Sequence, residues 1–258
     1  MGLGRFTRRD RRGAGPQSAF WKQQSWVVSA VFFAIVVVVA TFAALVSAGE
    51  DQIPGERAAR GPLSPDSPRG PDGRPAGCRT DDSNTVVPTA APPDVQWRPV
   101  GAMKVPVSKA AGPVRTDGPL LWCFARTPAG AALAAQVIVA QMNGADWRAI
   151  AAQQLVESRA REFYVALHSD TSDPAGEPVP AFAGFAVRSY SPDGAVVKLL
   201  LNTGGSASAN VLSSSFVSTS VTLLWQGGDW KVLPTSSATV STSWETASGN
   251  NGFVLWRA

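Results

Sequence analysis

The sequence predicts an α+β protein carried on a single N-terminal transmembrane helix. A disordered stalk follows the span, and a domain of two helices packed on a curved antiparallel sheet follows the stalk. Three observations lead there. The run WVVSAVFFAIVVVVATFAALV over 26–46 has no charged residue. Residues 47–95 are rich in Pro, Gly, Asp and Arg and nearly devoid of large apolar side chains. Beyond residue 127, helical spacing gives way to two hairpin patterns, the order of an α+β domain. With 258 residues, 45% hydrophobic and 16% charged, the chain can build one folded domain with appendages, not two large cores.

The uncharged run is long enough to cross a hydrocarbon layer of about 30 Å at about 1.5 Å per residue. A cleaved signal peptide competes, because LVSAG ends in small residues, but the apolar core and the basic segment before it are both long for one. Arg5, Arg8, Arg9, Arg11, Arg12 and Lys22 precede the run against the single acid Asp10, while Glu50, Asp51 and Glu56 follow it. Positive residues stay inside, so 1–25 reads as a cytoplasmic tail of a cell-membrane protein and 47–258 as extracellular. Much of the formal charge of +4 sits in that tail, where it sets topology and meets anionic lipid. No direct nucleic-acid partner is expected. Arginine outnumbers lysine, and Ala, Gly and Pro abound, a bias of GC-rich genomes such as those of actinobacteria.

Residues 47–95 cannot bury enough apolar surface to order themselves and read as a flexible linker. Cys78 and Cys123 are the two cysteines. Both fall on the exported side, where disulfides persist, and a bridge would pin the linker to the domain of 96–258. Two isolated thiols make no zinc site. PAGC over 75–78 resembles a lipidation site but lacks the apolar segment before it.

From 96 to 124 the chain reads as an extended strap. Thr127 then suits an N-cap, Pro128 the first helical position, and Gly144 a stop after an Ala-rich body. A second helix is expected through ADWRAIAAQQLVESRAREFYVALHS, capped by Asp146, with Trp147, Ile150, Leu155, Phe163 and Leu167 along one stripe. Next, AFAGFAVRSYSPDGAVVKLLLN folds about Pro192-Asp193-Gly194. A three-residue turn there sets Ser191 against Ala195, Val187 against Leu199 and Phe185 against Leu201. It leaves Arg188 opposite Lys198, a like-charged candidate interaction face. In LLWQGGDWKVL, Gly227-Gly228 as a two-residue loop pairs Trp225 with Trp230, Leu223 with Val232 and Leu224 with Lys231. Trp147, Trp225, Trp230 and Tyr190 are candidate core or pocket aromatics.

Little here suggests catalysis. His168 is the single histidine and has no cluster of Cys or carboxylates around it, so neither a nucleophilic triad nor a metal site has its material. The acids fall at caps, turns and helix surfaces; an acid–base site would have to draw on Glu157 or Glu162. No catalytic residue, metal or cofactor is assigned.

The order of basic tail, span, stalk, two helices and two hairpins ending in GGDWKV resembles the bitopic scaffold proteins of type IV secretion and Gram-positive conjugation machines. CFARTPAGAALAAQVIVAQM over 123–142 and GFVLW over 252–256 are similar to actinobacterial membrane proteins carried on integrative conjugative elements. The resemblance implies a cone-shaped exported domain of the nuclear transport factor two type. It also implies a non-enzymatic scaffold role whose partners are the membrane, further copies in a homo-oligomer, and other channel subunits. Two alternatives keep the cone: an accessory protein of a lipid-import transporter, and a ligand-binding or isomerase-like domain lined by Trp147, Trp225 and Trp230.

Overall fold

A computed structural model of the chain describes residues 60–168, 180–203, 216–247 and 249–256, all within a compact unit that runs from Pro54 to Ala258. The expected span over 26–46 and the tail before it lie outside the described residues. Among the described residues no helix is long and apolar enough to cross a membrane.

The strands are β1 (Gln96–Val100), β2 (Met103–Val107), β3 (Arg115–Asp117), β4 (Leu120–Trp122), β5 (Ala181–Ser191), β6 (Gly194–Asn202), β7 (Phe216–Gln226), β8 (Asp229–Val232), β9 (Glu245–Ala247) and β10 (Val254–Leu255). The helices are α1 (Pro128–Met142), α2 (Trp147–Gln154) and α3 (Arg159–Leu167). The main sheet runs β10-β5-β6-β7-β8, with β9 also on β7, while β1–β2 and β3–β4 are separate hairpins. All named ladders are antiparallel.

The expected fold class is therefore corrected. The described part is sheet-rich with three helices rather than two, and its central helix is enclosed. Helix α1 begins as its sequence dictates, with Thr127 Oγ1 accepting the Gly130 N–H at 3.0 Å and Pro128 in the first turn. Every α1 residue except Ala129 is buried, because the helix packs on β5, β6, β7 and β8 and also on β2 and β4. An Ala-rich helix that is apolar all round needs such neighbours on every side. Of its two buried glutamines, Gln136 donates to the Ala132 carbonyl and accepts the indole N–H of Trp256 at 2.8 Å. That contact docks the C-terminal segment, whose β10 extends the sheet beside β5.

The long second helix is corrected as well. It breaks at Leu155, which is extended and forms a parallel bridge with Val232. Val156 N–H donates to the Val232 carbonyl at 2.9 Å, so the outer edge of β8 takes the backbone bonds a continuing helix would have used. Helix α3 restarts with Ser158 as its cap, whereas the side chain of Asp146 makes no cap bond.

Register in the β5–β6 hairpin differs from expectation. Ser191 faces Gly194 across a two-residue loop, and irregularities at Phe182/Gly184 and Val187/Ser189 bring Phe185 opposite Leu199 and Val187 opposite Val197. Lys198 faces Ala186, not Arg188, which sits in the second irregularity. The β7–β8 hairpin has the expected register, Trp225 on Trp230 and Leu223 on Val232, with Gly227 and Gly228 at φ +66° and +78°, the paired left-handed conformations of a type I′ turn.

The stalk is the largest departure. Residues 60–95, expected to be disordered, are laid along the domain. Leu63 is buried and its N–H donates to Gln153 at 2.9 Å, and Cys78 is bridged to Cys123. The remainder of the expected linker, 47–59, lies outside the described residues.

Candidate functional site: the strap across the tryptophan hairpin

The strap expected over 96–124 is instead the two hairpins β1–β2 and β3–β4, and it is the segment 60–94 that forms a strap across the tip of β7–β8. Gly228 leaves room for it: a Cβ there would lie 2.7 Å from Arg74 Cα, and its φ already disfavours a side chain. The Arg69 guanidinium donates to the carbonyl of Gly227 and, at 3.1 Å, to that of Ser64.

Arg74 holds the centre. It is 6% exposed, and its two terminal nitrogens reach the Phe124 carbonyl at 2.6 Å, Thr80 Oγ1 at 2.5 Å and Asp82 at 3.1 Å. Asp82 also accepts the Arg126 N–H at 2.8 Å. Two cations lie over the half-buried Trp225 ring, with Arg74 Cζ at 5.1 Å and Arg126 Cζ at 5.2 Å from its centre, the geometry of attraction to an aromatic face. Trp230 is fully buried beside it, edge-on at 5.2 Å, and donates to the Ala125 carbonyl at 2.9 Å. Tyr190 Oη donates to the Arg126 carbonyl at 2.6 Å.

Asp229, which the sequence places at a turn, is wholly buried. It accepts the N–H groups of Cys123 at 2.7 Å, Phe124 at 3.0 Å and Trp230 at 2.9 Å. Burial raises its pKa to about 6, against the pull of those three donors and of Arg74. Its task is conformational, since Cys123 has φ +71°, a left-handed backbone that costs about 1–2 kcal/mol in a residue with a Cβ. The carboxylate and the disulfide both grip that residue.

The remaining sequence candidates are dispersed. Trp147 makes its ring contacts with Tyr164 and His168, at 5.9 and 5.4 Å, not with the hairpin tryptophans. His168 stacks on Tyr164 at 4.1 Å, and burial lowers the pKa of the imidazole and raises that of the phenol. Glu157 and Glu162 are exposed on the outer surface. Lys198 pairs with Glu245 at 2.9 Å, holding that carboxyl below its usual range, while Arg188 lies over Phe253 at 5.9 Å. The Arg188–Lys198 face is thus two separate contacts. Among the described residues no group of three His, Cys, Asp or Glu side chains is placed to hold a metal ion.

What sequence reasoning missed is a surface. Beyond Asp82 the strap runs through Asn84-Thr85-Val86-Val87-Pro88 to Asp94, and with the start of α1 it bounds a groove of about 700 Å³ lined by Val86, Val87, Pro88, Ala91, Thr127 and Ala129. Val86 and Val87 are 73% and 45% exposed. Asp94 ends the groove, receiving Ser108 Oγ at 2.8 Å and the Ala110 N–H at 3.1 Å; these bonds hold its pKa low despite burial. The paired valines in a polar segment were the available signal.

Residues 59–255 match a family described as a domain of unknown function, DUF8175. No curated protein and no solved structure matches the chain.

Proposed function

The chain belongs to the DUF8175 family, and we propose that it is a non-enzymatic assembly component held at the cell membrane. Its folded domain lies on the exported face and docks channel subunits of a conjugative, type IV secretion-like apparatus. The observation that carries the docking role is the apolar groove along the strap, where Val86 and Val87 stand exposed on a segment that the disulfide and Arg74 hold to the domain. A fixed apolar groove lowers the ordering cost of receiving a partner. The Cys78–Cys123 bridge favours an oxidising compartment. The apparatus itself is suggested by the sequence resemblance alone.

The aromatic-pocket alternative has less support, because the Trp225 ring is already flanked by Arg74 and Arg126. Cross-linking of the full-length protein in membranes of its native host, followed by mass spectrometry, tests the assignment. Capture of further copies and of transfer-channel subunits is expected; capture of lipid-import components instead would overturn it.

A further inference from the structure

A cleft between three turns carries two charges that the fold does not use. The β1–β2 turn at Gly101, the β3–β4 turn at Gly118 and the loop between α1 and α2 at Gly144 surround a space of about 310 Å³, at the lower end of the range for small-molecule sites. Its floor is a satisfied amide network. The side chain of Gln141, 3% exposed, accepts the Leu121 N–H at 2.6 Å and donates to Gln154 Oε1 at 2.8 Å, and Gln154 donates in turn to the Leu121 carbonyl at 2.8 Å. These bonds tie α1, α2 and β4 together beneath the opening. Buried Leu121 and Ile150, with Pro99, Val100 and Pro119, complete an apolar lining.

Arg98 and Asp146 are the charged residues of that lining, and both are exposed. Asp146 precedes α2, and its carbonyl accepts the Ala149 and Ile150 N–H groups at 3.0 and 3.2 Å. An aspartate at that position ordinarily spends its carboxylate on the same turn. Here the side chain makes no cap bond, so the backbone is held and the carboxylate is left over. Arg98 donates one terminal nitrogen to Thr116 Oγ1 at 2.9 Å, which draws the guanidinium toward the β3–β4 hairpin and leaves the rest of its fork unused. Among the described residues neither side chain is in an ion pair, with the other or with a third group. One cleft thus presents a cation and an anion too far apart to neutralise each other.

We propose that this cleft binds a small zwitterion with an apolar side chain, its carboxylate on Arg98, its ammonium on Asp146 and its side chain against Pro99, Pro119 and Ile150. A guanidinium takes a carboxylate through two parallel bonds, and a carboxylate takes an ammonium through charge-assisted ones. A ligand with a single charge would leave the second residue unanswered. A free α-amino acid and a short peptide present the same chemistry. The cleft shares no lining residue with the groove along the strap, and its ligand does not depend on the docking role.

The test titrates the full-length protein, isotopically labelled at its glycines, with L-leucine and with glycyl-L-leucine, and follows the amide resonances of Gly101, Gly118 and Gly144 by NMR. At least one of the two should move all three saturably, with a dissociation constant of about 1 mM or below. Tighter binding of L-leucine assigns the site to a free amino acid; tighter binding of the dipeptide assigns it to a peptide. N-acetyl-L-leucine, which lacks the ammonium, and L-leucinamide, which lacks the carboxylate, should each bind about tenfold more weakly than L-leucine. R98A should weaken L-leucine about tenfold and leave L-leucinamide unchanged, while D146N should weaken L-leucine and leave N-acetyl-L-leucine unchanged. Neither substitution removes a bond that holds an element in place, so both variants keep the fold. If neither zwitterion moves the three glycines, if the blocked derivatives bind as tightly as L-leucine, or if either variant binds it as the wild type does, the proposal is overturned.

Discussion

The guanidinium of Arg74 lies 5.1 Å from the centre of the Trp225 ring and is a strap residue acting as a core residue. Its bonds to Phe124, Thr80 and Asp82 tie three separate places to one planar group. R74A should therefore destabilise the domain by about 2–4 kcal/mol, since it strips the buried Phe124 carbonyl and the partly exposed Asp82 carboxylate of their donor. R74K should recover less than half, because an ammonium cannot reproduce the fork. Equal denaturation midpoints for wild type and R74A would show that the strap contributes nothing to the fold.

The two hairpin tryptophans should behave differently. Trp230 is fully buried and hydrogen-bonded to Ala125, so W230A should cost about 3–5 kcal/mol. Trp225 is half-buried under two arginines, and W225A should cost about 1–2 kcal/mol, mostly lost cation–ring attraction and area. Chemical denaturation of both variants checks the order.

Asp229 should give the domain a pH dependence of unusual sign. Burial raises its folded pKa to about 6 from an ordinary 3.8, so the folded state binds the proton more tightly than the unfolded chain. The resulting stability is fully present below pH ~4 and is lost as pH rises through about 6, by about 3 kcal/mol at 1.36 kcal/mol per pKa unit. Measured against D229N, which does not titrate, the wild type should lose that margin between pH 4 and 7. D229A should be worse than D229N at every pH, because it leaves the Cys123 and Phe124 N–H groups without an acceptor.

Reduction should loosen the strap. The bridge closes a sequence separation of 45 residues, which the chain-entropy relation values at about 4 kcal/mol. C78S with C123S should lower stability by a comparable amount. Proteolysis between residues 60 and 77 should also accelerate, as Leu63 and Arg74 lose a neighbouring anchor.

Local chemistry made part of this fold legible. Thr127 and Pro128 mark the start of α1, and Gly227-Gly228 fixes the register of β7 on β8. The break at Leu155 was hidden because Leu155 and Val156 continue the apolar stripe of a helix; only the open edge of β8, a tertiary partner, explains their extended form. The β5–β6 register was missed for a related reason, since its irregularities depend on packing rather than on turn residues. Order in the strap was invisible to composition, because it comes from one buried leucine, one arginine and one disulfide among many polar residues. Asp229 and Lys231, charged residues next to a turn, carry no sequence sign of burial, yet both are covered in the fold.

The docking role of the groove is tested most directly by placing a photo-reactive amino acid at Val86 in the full-length protein, in its native host. The same substitution at the exposed Lys104, which lies outside the groove, serves as the control. The account predicts that Val86 captures exported channel subunits and that Lys104 captures them far less. Equal capture from both positions, or none from Val86, would contradict it.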